Sequence, residues 1–357
     1  MADYRILYAL TTDDVVLGEL PVTDFTFSEA LNAAGTFTAT LALDTVQAPA
    51  LSASVASPEL TAATFAPDGR TQIFVERDGV IEWAGILWAY QASIAAQTAV
   101  ISATGYLSYF SRRLITADAT YAAVEQTAIG WGLINTAQTA SSIGIIDGST
   151  ASGTTRTRTY EGRYALSVGE ALRNLSKTDG GFDFRFSAAW SAGSIVKSFT
   201  TSFPQTGVAT NTVIDTASNV ADMRVSVNGT AVNTLAYASG APGSVRQSTS
   251  NAGLEASLPR LEVIEAYPSS ITSANLLEHS DRLSQRGSLA VNAISVEMEA
   301  GADPAVGGFN VGDIVEVRGS VGWLDTAGDY RIVSYSASVD DSGTEKLQLQ
   351  LASAEAF

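Results

Sequence analysis

The stretch TQIFVERDGVIEWAGILW, residues 71–88, is the strongest indication of fold class in the chain of 357 residues. β-Branched and aromatic residues lie on both sides of the pair Asp78-Gly79. An Asp-Gly pair between such runs is typical of a tight β-hairpin, because both central residues of that turn need a positive φ. The stretch therefore predicts two antiparallel strands, 71–77 and 80–88.

Strand patterns continue outward from this hairpin towards both ends of the chain. In residues 35–43, Phe37, Ala39 and Leu41 alternate with threonines, and this period of two is typical of a half-buried strand. Two β blocks are therefore predicted, one at each end. Their other strands are expected at 4–10, 15–20, 22–27 and 98–106, and at 292–299, 313–318, 329–338 and 346–351.

The middle of the chain mixes helical and strand patterns. Apolar spacing predicts helices at 122–139, 167–177 and 269–287, and Ser167 with Glu170 has the spacing of a capping box. The predicted fold class is mainly β with an α+β insertion. Further strands are expected at 181–186, 195–201, 220–227 and 233–238, and long loops at 44–69 and 141–160.

These patterns divide the chain into four regions. They are an N-terminal β domain at 1–110, an α+β insertion region at 111–235, connecting strands and a helix at 236–289, and a C-terminal β domain at 290–357.

Composition excludes several classes of function. The chain has 37 acidic and 20 basic residues, so its net charge is −17, and its longest basic run is Arg112-Arg113. Such a surface does not bind nucleic acid by neutralising phosphates. Because there is no cysteine, disulfides and thiolate metal sites are excluded. The sequence has neither a signal-peptide pattern nor an apolar run of ~18 residues, so we expect synthesis in the cytoplasm without a membrane span.

Catalytic chemistry has few candidate residues. His279 is the only histidine, and its neighbours Glu278 and Asp281 in a predicted helix favour a solvated surface residue over a triad member. The pairs Asp13-Asp14 and Asp340-Asp341 lie at predicted turns, where aspartate bonds to the backbone, and this favours turn chemistry over glycoside hydrolysis.

Metal and sugar sites are weakly supported as well. Four acids in the C-terminal region fit no calcium-loop spacing, and we predict no catalytic, cofactor-binding or metal-ligating residue. Trp83 and Trp88 are five residues apart on one predicted strand, so a regular strand would place them on opposite faces, and at least one is expected in a core or interface. The acids are Asp303, Asp313, Asp325 and Asp329, and the other tryptophans are Trp131, Trp190 and Trp323.

Several motifs resemble those of a known family and occur in its order. They are DFTFSEALNAAGTFTATL at 24–41, PDGRTQIFVERDG at 67–79, EWAGIL at 82–87, ATGYLSYFSRRL at 103–114, NTLAYASG at 233–240, VGDIVEV at 311–317, GDYRIV at 328–333 and EKLQLQL at 345–351. Together they span almost the whole chain. They resemble the tail-tip or baseplate hub proteins of long-tailed bacteriophages, most of all minor tail proteins of phages of actinobacteria.

The resemblance implies a structural, non-enzymatic virion protein. Hubs of this family are homotrimers in which each subunit contributes two tail-tube-like β-barrel domains, so that three chains imitate a six-fold ring. The implied partners are two more copies of the chain, distal tail and tail-tube proteins, the tape measure protein, and tail-tip or fibre proteins. Phage DNA would be contacted only in passage, without sequence specificity, and the host envelope only indirectly.

Two other functions stay open at this point. The chain could instead be a receptor- or glycan-binding tail-tip protein with contact loops at 141–160 or 241–258. A tail-associated glycosidase or peptidase is a distant third. In the hub interpretation, three chains carry about 3 × (−17) = −51 charges, which would repel passing DNA if acids line the channel. The long loop at 44–69 is then expected to contact a neighbouring ring.

Overall fold

The computed structural model describes residues 2–43, 67–178, 180–240, 246–267, 272–288 and 291–353. Strands dominate, and the helices lie between the two ends of the chain, which confirms the predicted fold class of mainly β with an α+β insertion. Most of the predicted long loop 44–69 lies outside the described residues, so its contact with a neighbouring ring stays a prediction.

The N-terminal block contains the strands that the alternating patterns predict. Asp78 and Gly79 have φ values of 50° and 83°, so the predicted hairpin turn is confirmed. The strands are β1 (Tyr4–Leu10), β2 (Val16–Glu19), β3 (Val22–Ala30), β4 (Thr36–Ala42), β5 (Thr71–Arg77), β6 (Val80–Ser93) and β7 (Thr98–Gly105).

The N-terminal sheet must curl back on itself. Its strand order is β3-β4-β7-β6-β5-β1-β2, so six gaps of about 4.8 Å would separate β3 from β2 by roughly 29 Å in a flat sheet. Only Leu20 and Pro21 link β2 to β3, and three Cα steps reach at most about 11 Å. Because the sheet curls, the rings of Tyr4 on β1 and Phe25 on β3 approach to 5.2 Å between centroids.

The middle of the chain forms a separate core. Helix α2 packs so close to this core that a Cβ added at Gly130 would lie 3.2 Å from the ring of Phe182, which explains a glycine inside a helix. The elements are α1 (Leu107–Phe110), β8 (Ala119–Glu125), α2 (Gln126–Ala140), β9 (Ile145–Gly148), β10 (Thr155–Tyr160), α3 (Val168–Ser176), β11 (Asp183–Ser191) and β12 (Ser194–Ser202).

Two predictions for this region were wrong. The helix expected from residue 122 begins at Gln126, because residues 119–125 pair with β10 as strand β8 and the side chain of Glu125 caps the helix by accepting from the N–H of Ala128. The loop expected at 141–160 contains β9, which pairs with β12, and β10. The predicted cap of α3 is confirmed, since the Ser167 hydroxyl accepts from the N–H of Glu170 at 3.2 Å.

The next segment supplies two strands to the C-terminal block and then a small unit of its own. Strands β13 (Ala209–Asp215) and β14 (Val220–Asn228) fall within the predicted insertion region, yet they pair with C-terminal strands. The predicted C-cap Gly287 of helix α5 is confirmed. The small unit comprises β15 (Leu235–Ser239), β16 (Arg246–Ser250), α4 (Ala252–Glu255), β17 (Glu262–Ala266) and α5 (Ser273–Arg286).

The C-terminal block curls for the same reason as the N-terminal one. Its order is β14, β18 (Val291–Met298), β23 (Glu345–Ser353), β22 (Gly328–Val339), β19 (Ile314–Arg318) and β13, and residues 216–219 join the two ends. Ile214 and Val220, at these ends, lie in one buried cluster with the rest of the block. The remaining strands of this region are β20 (Ser320–Val321) and β21 (Leu324–Asp325).

One strand pair joins the two blocks. β3 and β22 run antiparallel from Ala30↔Ser334 to Phe25↔Val339, and a single buried cluster extends through both blocks. Within the described pairings, no ladder links β2 to β3 or β13 to β14. Closure into two tube-like barrels and the four-region division therefore stay predictions.

Candidate functional site

The place where three parts of the chain meet is held by a buried ion pair, which we call the junction. Asp183 on β11 binds Arg331 on β22, and Arg331 is only 2% exposed. Arg331 also donates to the carbonyls of Thr206 (3.1 Å) and Gly312 (3.2 Å). A buried guanidinium is tolerated only when its donors are paired, so these contacts fix β22 against the insertion.

Asn32 brings the N-terminal block into the junction. Its side-chain amide donates to Asp183 at 2.7 Å and its oxygen accepts from the N–H of Phe184 at 2.7 Å. Asn32 has a φ of 54°, a conformation that asparagine adopts more readily than most residues. The chain reversal after β3 therefore places the Asn32 side chain so that it links the end of β3 to β11.

A second buried pair ties the insertion to the N-terminal block. The Lys197 amine is fully buried and lies 2.5 Å from a carboxylate oxygen of Asp14. It also donates to Gln72 and to the carbonyl of Thr11, both at 3.3 Å. Burial lowers the pKa of Lys197 from its ordinary value, while Asp14 opposes that shift. The turn interpretation of Asp13-Asp14 is thus confirmed for Asp13, which caps the N–H of Val15, whereas Asp14 belongs to this ion pair.

A third polar contact joins the insertion to helix α5. Arg156 and Arg158 on β10 both bind Glu278, at 2.9 and 2.8 Å, and Arg158 donates to Asn275 at 2.6 Å. Strand β10 alternates arginine with threonine rather than apolar with polar residues. This is why strand patterning missed β10.

The expectation that His279 is solvated was wrong. Its ring lies against the ring of Tyr267, the residue that follows β17, with the ring centroids 3.7 Å apart. Only 3% of His279 is exposed. Burial, with Arg158 and Arg156 nearby, lowers the pKa of His279 to about 3. A neutral histidine that is buried and stacked on Tyr267 acts as a packing residue in this structure.

The remaining acids and tryptophans are dispersed. Asp340 caps the N–H groups of Ser342 and Thr344, as its turn predicts. Asp313 is buried, and its carboxylate accepts hydrogen bonds from the backbone N–H groups of Val208 and Asn310. In the described part of the chain, no three acids or histidines lie close enough to hold a metal ion.

The tryptophans form no shared platform. Trp83 is buried against Phe37, with centroids 5.5 Å apart, which confirms the expectation of a core residue. Trp88 is half-buried and lies under Arg112, at 4.7 Å. By contrast, Trp323 is 94% exposed on the short hairpin β20–β21, beside Val321 at 75%.

One pair of acids in the N-terminal block does have raised pKa values. Burial raises the pKa of Glu29 to about 7, and burial also raises that of Glu82. Such shifts are found in glycosidase acids. The cavity beside Glu29 measures only about 30 Å³, which accommodates a water molecule but not a sugar ring. The cavity at Glu29 therefore has no room for a glycan substrate.

Comparison with solved structures decides the fold. The chain matches the 43 kDa tail protein of prophage MuSo2 from Shewanella oneidensis over 99% of both chains, with a TM-score of 0.65 and 13% identity. The chain has the fold of this phage tail protein. A tail protein from Neisseria meningitidis MC58 matches with a TM-score of 0.60 and 10% identity over 98% of this chain and 97% of that one. Prophage tail protein gp18 from Listeria monocytogenes EGD-e matches with a TM-score of 0.55 and 11% identity, over 97% of this chain and 94% of that one.

At these identities the likeness establishes the fold alone. No protein-family profile matches the chain. No curated protein matches it either. Among the described helices, none is long and apolar enough to cross a membrane.

Proposed function

We propose that this chain is a structural subunit of a phage-type tail, and that three copies form a hub ring at the distal end of the tail tube. The observation that carries the proposal is the match over 99% of both chains to a prophage tail protein. The solved structures that the chain matches over nearly its whole length are described as tail proteins, and this favours a structural role over an enzymatic one.

The two curled β blocks support the trimer. Each block contributes a sheet that curls so that its end strands can be joined by a short link, and β3–β22 pairing joins the two blocks. The junction at Asp183 and Arg331 fixes their relative position. A rigid pair of such blocks is what a three-chain ring with six quasi-equivalent positions requires.

The ring would surround the path of the ejected genome. Its formal charge of −51 is consistent with a channel to which DNA does not adhere. The partners are then tail-tube, distal tail, tape measure and tail-tip or fibre proteins, in a virion. Mapping the side chains that face the channel tests this part, since a basic bore would contradict it.

Light scattering at several concentrations tests the trimer. A mass of three times 37.2 kDa supports a hub ring. A monomer at all concentrations, together with its absence from purified tails, would contradict the proposal. The resemblance to actinobacteriophage minor tail proteins rests on the motifs quoted above, and the host stays a prediction.

A glycan-binding tail-tip protein remains the second candidate because Trp323 is almost fully exposed. Exposed tryptophans stack on sugars, but they also anchor protein interfaces. A glycan array separates the two: sugar binding that is lost in Trp323→Ala favours the second candidate. The proposed loop at 141–160 is less suited to this role, since it contains two paired strands.

A further inference from the structure

A cleft of about 520 Å³ lies beside the junction and concentrates positive charge in an acidic chain. We call it the basic cleft. Five of the chain's 20 Lys and Arg residues line it, whereas Asp183 is the only acidic residue among the described residues that line it. Asp183 is already bonded to Arg331, Asn32 and the N–H of Thr206. The five cations are Arg173, Lys177, Arg282, Arg286 and Arg331.

Two helices supply the cations at the rim. Arg173 and Lys177 come from the end of α3, and Arg282 and Arg286 come from the last turns of α5. Cations at helix C-termini interact favourably with the helix dipole, by a few tenths to about one kcal/mol in general. The helix dipole alone does not account for these four cations, since α2, the longest described helix, ends without a basic residue. Nor does it explain why two separate helices direct theirs into one cleft.

The floor of the cleft is apolar. It is formed by the joined sheet, with the half-buried Leu31 after β3 and Val333 on β22, above the fully buried Leu351 on β23. Gln205 and Gln350 add neutral hydrogen-bonding groups. A basic rim above an aliphatic floor complements a ligand that carries both carboxylates and aliphatic side chains.

We propose that the basic cleft binds a short acidic and aliphatic peptide segment of a partner protein. Charge focused in a concave site attracts an anion even when the whole molecule is acidic. A short segment can enter the cleft, whereas a long polyanion such as DNA would lie against the acidic surface outside it. The inference stands apart from the tail function, because it can be tested on the isolated chain.

The binding test uses a fluorescein-labelled hexapeptide of alternating Glu and Leu, followed by anisotropy. We expect saturable binding that weakens with added NaCl, and no binding of the matching Lys and Leu peptide. R173Q/R286Q should weaken binding at least about tenfold, because it removes two charge-assisted contacts. The control R163Q/R224Q removes two exposed arginines elsewhere and should leave affinity unchanged.

A second measurement uses the unmodified protein, so it does not depend on the folding of a variant. The chain has three lysines: Lys177 at the cleft, the buried Lys197, and the exposed Lys346 on β23. Carbodiimide coupling of the Glu-Leu peptide should modify Lys177 far more than Lys346. Equal coupling of the two lysines would overturn the proposal, as would unchanged affinity in R173Q/R286Q. Binding of tripolyphosphate without binding of the peptide would overturn it in favour of a phosphate site.

Discussion

At the scale of single residues, this protein places charge in its interior where parts of the chain meet. Arg331, Lys197 and Arg158 are all buried, and each binds an acidic residue from a distant part of the chain. A buried charge that loses its partner is costly, so such pairs specify which segments meet. The short-range patterns of the sequence cannot reveal them, because the partners lie far apart along the chain: 278 − 158 = 120 positions for Arg158 and Glu278, and 197 − 14 = 183 positions for Lys197 and Asp14.

The Asp14–Lys197 pair allows a direct test of this principle. Asp14→Ala leaves the Lys197 amine buried without its carboxylate partner. We expect the free energy of unfolding to fall by about 3 kcal/mol. This value is at the lower end of the range for broken buried ion pairs, because Asp14 is partly exposed. Asp14→Ala/Lys197→Met removes both charges and should recover much of that loss. Urea unfolding of the two variants checks this, and a double variant less stable than the single one would contradict it.

His279 predicts a pH dependence of stability. Its pKa is about 3 in the folded protein, below the ordinary value of 6.5, so the unfolded chain binds more protons between these values. The stability contributed by neutral His279 is present above pH 6.5 and is lost as the pH falls towards 3. We expect a slope of about 1.4 kcal/mol per pH unit from this group within that window. His279→Phe, which keeps a ring on Tyr267, should reduce the slope measured by denaturant unfolding at pH 4 to 6, and an unchanged slope would argue against this origin.

At the scale of elements, the sequence predicted those turns, strands and helix caps that depend on interactions between residues close together in the chain. The hairpin at Asp78-Gly79, the alternating β4 and the cap of α3 all follow from turn chemistry, side-chain period and capping. β8 to β10 were missed because their stability comes from pairing with distant strands and from buried arginines rather than from an apolar period. The prediction that His279 is solvated was wrong for a related reason. The residue that covers its ring, Tyr267, lies outside helix α5, so the helical pattern does not reveal the contact.

Helix α3 offers a test at this scale. Ser167→Ala removes the acceptor for the N–H of Glu170, and we expect a loss of about 1 kcal/mol in the free energy of unfolding. Ser167→Asp keeps an acceptor at the same place and should be nearly neutral. Thermal unfolding of both variants distinguishes a capping role from a packing role, because a packing role would make the aspartate variant the less stable one.

At the scale of the whole molecule, the sequence resemblance anticipated the fold of phage tail proteins, and the structure places one curled β block towards each end of the chain. The basic cleft was not anticipated, because its cations come from α3, α5 and β22, which are far apart in the sequence. Their proximity depends on the joined sheet, and only the folded chain brings them together.

The exposed hairpin β20–β21 predicts a contact within the assembled tail. Val321 ends β20 and Trp323 lies in the turn before β21, and both side chains are largely exposed. Aromatic anchors of this kind dominate many interfaces once a partner buries them. Trp323→Ser should therefore lower incorporation into tails several-fold, while the free energy of unfolding of the isolated chain changes by less than about 0.5 kcal/mol. Val227→Ser, at an exposed position on β14, serves as the matched control. Normal incorporation of Trp323→Ser with loss of binding on a glycan array would instead assign this hairpin to receptor recognition.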